Sequence, residues 1–278
     1  MSNQSSKNHW EKYHNFWNYV GAPLRPSSED LYFLKKELLP KVALMPSEIK
    51  QVTLLGVTPE LATLPWPQKT KILAVDKSSE MIHRIWPQDK VTYGKAIVGN
   101  WLELPLRDNS SDIILGDGCF VLMNYRDEYP KLLSEVFRVI KEEGLFAMRF
   151  FLRPPQSENI DIIFEELKSK NIGNFNVFKW RLAMAMQNSV EAGILMSDVW
   201  KIWKQKISKP EKIMRELDWP IEVLSTIEIY QNSPNVYTFP TLNEIRKLFS
   251  SQFIELSIYI PDYELGERCP TIIFKPRK

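Results

Sequence analysis

Four short stretches carry residues whose types and spacing suit the binding of one ligand. The first is Leu54-Leu55-Gly56-Val57-Thr58-Pro59-Glu60-Leu61-Ala62. Gly56 permits a sharp turn and a close approach of backbone to ligand. Thr58 suits a helix N-cap and Pro59 the first helical position. A strand, a tight turn and a helix start in succession make a place for a ligand, although the same residues also suit a plain strand-to-helix turn. The second is Asp76, 20 residues after Gly56. Its carboxylate can accept two hydrogen bonds from ribose hydroxyls; taken alone it also reads as a cap for a helix beginning in Lys77-Ser78-Ser79-Glu80-Met81. Gly56 and Asp76 together, each closing a buried strand, point to a nucleoside-containing ligand at the carboxyl edge of a parallel sheet. The third is Gly99-Asn100-Trp101. The Asn100 amide can pair with an adenine edge and Trp101 can pack on its face; a polar turn beside a core tryptophan is the other reading. The fourth is Gly116-Asp117-Gly118-Cys119-Phe120, where two glycines around one acid suit contact between backbone and ligand. Cys119 reads as a buried thiol, because the three histidines, at 9, 14 and 83, are distant in sequence.

These stretches need a frame that brings them together. Apolar runs at 51–55, 71–75, 95–98, 112–115 and 145–151 read as strands. Helical patterns at 79–86 and 129–141 lie between them. Such alternation, with Val, Ile and Leu nearly continuous in the strands, implies a parallel sheet covered on both faces. Ahead of it, Trp10, Tyr13, His14, Trp17 and Val20 recur at helical spacing. A second helix is expected from Ser27 or Ser28 through Leu39, with Pro40 and Pro46 bracketing its end. Beyond Arg153 the pattern turns helical to about residue 212. Thr241 and Glu244 form a capping-box pattern, and 253–260 and 271–274 read as two strands joined through Glu264-Leu265-Gly266. No internal repeat is present.

Composition bounds the partners. The chain has 278 residues and a formal net charge of +2, with 36 basic and 34 acidic residues. So small a surplus offers little to nucleic-acid phosphates, and no nucleic-acid or membrane partner is expected. Two cysteines far apart make neither a disulfide framework nor a Cys-x-x-Cys metal site. No bound metal and a cytoplasmic location are expected, since no signal peptide and no apolar run of about 20 residues is seen.

The run from residue 51 to 154 resembles the core of class I S-adenosylmethionine-dependent methyltransferases. It has a glycine turn, an acid 20 residues on, an Asn100-Trp101 site, the strand DIIL, and a helix ending Arg138-Val139-Ile140-Lys141-Glu142-Glu143-Gly144 before a strand. The strands at 253–259 and 270–274 resemble the closing antiparallel pair of that sheet. The phrase from Leu54 to Ala62, and Gly21-Ala22-Pro23-Leu24-Arg25, resemble a bacterial subgroup of methyltransferase-like proteins. The resemblance implies a Rossmann-like α/β fold: a seven-stranded, mostly parallel sheet with a reversed C-terminal strand, helices on both faces and a helical insertion forming a lid. It divides the chain into an N-terminal helical cap (1–46), a cofactor-binding core (47–154), a helical insertion (155–235) and a C-terminal helix with closing strands (236–278). The implied cofactor is S-adenosyl-L-methionine, held around Gly56, Val57, Thr58, Asp76, Lys77, Met81, Asn100, Trp101, Asp117, Gly118 and Cys119.

The sequence also departs from that family. Leu54 stands where the family's glycine loop begins with an acid, and Thr58 and Glu60 replace later glycines. The missing acid removes a contact to the cofactor's amino group, which Thr58 or Glu60 can replace. Candidates for an acceptor pocket are Trp17, Tyr19, Arg25, Tyr125 and Arg149, with Trp180 and Arg181 in the insertion; each also reads as core packing or solvated surface. No catalytic base is identified. The expected partner is a small-molecule acceptor, with no oligomeric state implied. A binding or regulatory protein on the same fold is the second reading. A nicotinamide-dependent oxidoreductase is disfavoured by the missing Gly-x-Gly-x-x-Gly.

Overall fold

The computed structural model describes Trp17 and residues 19–278. The helix expected around Trp10, Tyr13 and His14 lies outside the described residues.

Ser27 opens α1 (Ser28–Glu37) with a capping box closed by Asp30. Pro40 does not end this helix region; it occupies the first turn of a separate short helix, α2 (Leu39–Leu44), where a missing N–H costs nothing. The central elements follow as β1 (Gln51–Leu55), α3 (Pro59–Ala62), β2 (Lys71–Asp76), α4 (Ser79–Ile85), β3 (Gly94–Val98), β4 (Ser111–Asp117), α5 (Glu128–Val139) and β5 (Ile140–Arg149). Helix α5 stops two residues before its expected end, because Ile140 already pairs with Ser111 as sheet.

Five helices then intervene: α6 (Ile160–Lys168), α7 (Phe175–Met186), α8 (Met196–Lys206), α9 (Pro210–Glu216) and α10 (Ser225–Glu228). They enclose a pair of two-residue strands, β6 (Ile194–Leu195) and β7 (Val236–Tyr237). The chain closes with α11 (Leu242–Phe249), capped by the expected Thr241–Glu244 box, and with β8 (Phe253–Tyr259) and β9 (Thr271–Pro276).

The main sheet runs β3-β2-β1-β4-β5-β9-β8. Strands β3 to β5 are mutually parallel, and β9 runs antiparallel to both β5 and β8. The fold is the α/β, seven-stranded Rossmann-like arrangement with one reversed strand. Strand side chains alternate between two cores, as a pleat dictates. Ile114 and Phe146 face Leu132, Val136 and Phe249 of α5 and α11. Ile113, Leu115 and Leu145 face Leu34, Leu61 and Met81 of α1, α3 and α4. A third core lies among the intervening helices, around Phe178, Trp180 and Trp203. Among the described residues, no helix is long and apolar enough to cross a membrane.

Candidate functional site

The order of the strands reverses between β1 and β4, and the ends of β1, β2, β3 and β4 bring the four sequence stretches to one edge. At Gly56 the chain turns with φ +91°, a conformation that favours glycine. The Gly56 N–H donates to the Val75 carbonyl at 2.8 Å. A Cβ built on Gly56 would stand 3.5 Å from Trp101 Cζ2 and 3.8 Å from Asp76 Oδ2. The turn, the acid and the indole thus meet at one point. Thr58 holds the N-cap position of α3 and Pro59 its first turn, but the Thr58 side chain makes no capping bond. Val57 is buried.

Asp76 accepts one hydrogen bond, from the Ser78 N–H to Oδ1 at 2.8 Å. Burial pushes its carboxyl up to about 6 from an ordinary 3.8, partly opposed by that bond. Ser78 rather than Asp76 caps α4, through the Met81 N–H. Met81 is buried and Lys77 is exposed. Asn100 Oδ1 accepts from Leu102 N at 3.2 Å, so half of its amide is spent on its own turn. Trp101 is buried, and its Nε1 donates to the Val75 carbonyl at 2.5 Å. That bond ties the ring to the β2 backbone beside Gly56.

At the end of β4, Asp117 pairs with Arg149 of β5 at 2.6 Å, both buried. Arg149 Nη1 also donates to the Pro23 carbonyl at 2.7 Å and to the Tyr263 hydroxyl at 3.2 Å. Its guanidinium lies over the Phe151 ring, 5.1 Å from the centroid. Arg149 is therefore no open acceptor contact, contrary to the sequence expectation: it is an internal strut between two strands and the 21–26 loop. Gly118 follows with φ +62°. Cys119 is buried, with Sγ 3.4 Å from the Leu55 carbonyl, and burial pushes its thiol up, which removes it as a nucleophile.

Arg25 reaches the same edge. Its Nε donates to Glu60 Oε1 at 2.8 Å, and its Nη2 pairs with the same oxygen. Nη1 donates to the Trp17 carbonyl at 3.2 Å, while the guanidinium covers the Trp17 ring at 4.5 Å. The carbonyl of Tyr19, an exposed residue, accepts from Asn176 Nδ2 of α7 at 3.5 Å. Residues 19–26 thereby strap β1's turn, β5 and the intervening helices together.

Other expected pocket residues sit elsewhere. Tyr125 packs edge-on against Tyr129, with ring centroids 5.1 Å apart. Trp180 is buried in the third core. Arg181 binds Glu158 and Glu166, both at 2.6 Å, and Glu158 also binds Arg268. The lysines of α8 and α9 are solvated and paired, as Lys206 is with Asp161. Sequence reading left Asp30 and Tyr263 unremarked and did not rank Glu60 among the site residues. Their partners are remote in the chain, and only the fold brings them near.

Gly56 leaves room against Asp76, and the Asp76 carboxylate has a single backbone partner. Glu60 Oε2 is buried with no hydrogen-bond partner. Among the described residues, no cluster of His, Cys, Asp and Glu is arranged to hold a metal ion.

Residues 55–148 match the model of a family described as a methyltransferase domain. That segment runs from the end of β1 through β2, β3 and β4 almost to the end of β5, the parallel part of the sheet. The fold recurs at low identity. A Rhodobacter sphaeroides crystal structure described as a Zn-dependent alcohol dehydrogenase matches with TM-score 0.62 at 14% identity, covering 100% of each chain. A Pyrococcus horikoshii protein matches with TM-score 0.53 at 15% identity, over 94% of this chain and 98% of its own. A Methanosarcina mazei S-adenosylmethionine-dependent methyltransferase matches with TM-score 0.49 at 16% identity, over 86% and 97%. No curated protein matches the chain.

Proposed function

We propose that the protein binds S-adenosylmethionine at the carboxyl edge of β1, β2 and β4 and transfers its methyl group to a small-molecule acceptor. The observation that carries this reading is the meeting of Gly56, Asp76 and Trp101 at one point, within a segment that matches a methyltransferase domain. When bound, the cofactor supplies a methyl group already activated by its sulfonium. Asp76 accepts from the ribose hydroxyls, the Gly56 turn lets the cofactor lie against backbone, and Asn100 reads the adenine. The protein's contribution is proximity, alignment and exclusion of water. The intervening helices and the 19–26 strap form the lid over the edge. A small acceptor fits the near-neutral charge of +2, which offers little to a nucleic acid.

A second reading, cofactor binding without turnover, draws on Leu54 and Glu60, which stand where the family's loop carries an acid and a glycine. Calorimetric titration with S-adenosylmethionine and S-adenosylhomocysteine, with Asp76→Ala as control, tests the site. Saturable binding lost in the variant supports it, and no binding at millimolar ligand overturns it. Methyl transfer across an acceptor panel then separates the two readings.

A further inference from the structure

Residues 19–26 are fastened at three places. The Pro23 carbonyl accepts from Arg149 of β5 at 2.7 Å. Arg25 pairs with Glu60 on α3, the helix that follows the β1 turn. The Tyr19 carbonyl accepts a longer bond, 3.5 Å, from Asn176 of α7. In the sheet, β4 stands between β1 and β5. A segment fastened beside β1 and at the end of β5 therefore crosses the carboxyl end of β4, where Asp117 and Gly118 lie. At its far end it runs into Ser27, whose capping box fixes the start of α1. Leu24 packs against the core of the intervening helices, and Trp17, just before the segment, against the core of α1, α3 and α4. Of the three ties, only Arg25 with Glu60 is a pair of opposite charges. Nε and Nη2 of Arg25 converge on Glu60 Oε1, while Nη1 holds the Trp17 and Val20 carbonyls. The two side chains are 24% and 17% exposed, against 3% and 7% for Arg149 and Asp117. Water can take over the partners of the first pair when it parts, whereas parting the second strands a buried charge. The first is built as a fastening that opens, the second as a fixed strut.

We propose that residues 19–26 gate the cofactor site, with Arg25 and Glu60 as the latch: the strap swings about its junction with α1 to admit or release the cofactor and then closes. This rests on the cofactor reading above. It makes Arg25 and Glu60 positioning residues that touch no ligand. A latch that is closed in both the free and the occupied protein favours neither state, so it sets the rates of exchange and leaves the affinity alone.

The test measures association and dissociation of S-adenosylhomocysteine by stopped flow on the full chain, in the wild type, Arg25→Met and Glu60→Gln. Both rate constants are expected to rise about tenfold in each variant, the lower end of what a hydrogen-bonded charge pair is worth once its exposure is discounted. Their ratio, the dissociation constant, is expected to stay within about twofold of the wild type. The two variants together are expected to speed exchange no more than either alone, because both open the same contact. Glu60→Gln keeps the shape of the side chain and carries the test if Arg25→Met fails to fold. Faster dissociation with unchanged association overturns the gate, since it places the pair in contact with the ligand. A lower melting temperature with both rates unchanged also overturns it and leaves the pair a strut. A wild-type protein that binds no S-adenosylhomocysteine at millimolar concentration overturns the cofactor reading, and the gate with it.

Discussion

Asp117 and Arg149 stand opposite each other in the parallel register of β4 and β5, and their charged groups meet at 2.6 Å inside the protein. Burial pushes the Asp117 carboxyl up, and the arginine pulls against it. Arg149→Met leaves that carboxylate buried and alone, and is expected to cost about 3–5 kcal/mol in urea unfolding. The double variant Asp117→Asn with Arg149→Met removes the orphaned charge and is expected to recover much of the loss. A single variant as stable as the wild type would show that the pair holds nothing together.

Asp76 trades stability against binding. Its carboxyl sits at about 6 in the folded protein against 3.8 when solvated, so the folded state favours the proton. The cost of burying the charge is absent below about pH 4, grows through the interval, and is complete above pH 6, at about 3 kcal/mol. Asp76→Asn is therefore expected to raise the melting temperature at pH 7.5 while abolishing cofactor binding. In the wild type, ribose recognition needs the carboxylate, so affinity for S-adenosylhomocysteine falls about tenfold for each pH unit below 6. An affinity unchanged between pH 8 and pH 5 would separate Asp76 from the ligand.

Lys179 is a lysine buried among the intervening helices. Its Nζ donates to Thr226 Oγ1 at 2.6 Å, and burial depresses it from 10.5 to about 7. Between those values the unfolded chain takes up a proton that the folded chain refuses, so stability from this group falls as the pH drops from 10.5 to 7. Lys179→Met keeps the volume and discards the penalty. It is expected to stabilise the protein at pH 7.5 by about 1–3 kcal/mol and to flatten the alkaline rise in melting temperature.

Gly118 meets two constraints at once. Its φ is +62°, and an added Cβ would lie 2.4 Å from Phe151 Cε2. Gly118→Ala is expected to cost about 1–3 kcal/mol. Combining it with Phe151→Leu relieves the clash and returns part of that, measurable by the same unfolding curves.

What could be read from the chain was local. The Ser27 and Thr241 caps, the first-turn place of Pro59 and the five apolar strands depend on neighbours within a few residues, and their positions follow from periodicity and capping chemistry. Helix α5 ran past its true end on paper because Val139 and Ile140 continue its apolar pattern; the pairing of Ile140 with Ser111 overrides that. At the site, Gly56 and Asp76 were legible from their places after strands. The ties of Arg149 to Pro23 and of Arg25 to Glu60 were not, since they join positions 126 and 35 apart through the fold alone. Glu60 left one trace, a charged residue where a turn of this kind has a glycine.

The place of β9 governs the order in which this sheet can be completed during synthesis. It lies between β5 and β8, pairing Arg149 with Thr271 on one side and Tyr259 with Thr271 on the other. Until it leaves the ribosome, β8 has no neighbour in the sheet and β5 shows an open row of amides and carbonyls. The six helices between them, α6 to α11, emerge in that interval and are available to shield the unfinished edge from other chains.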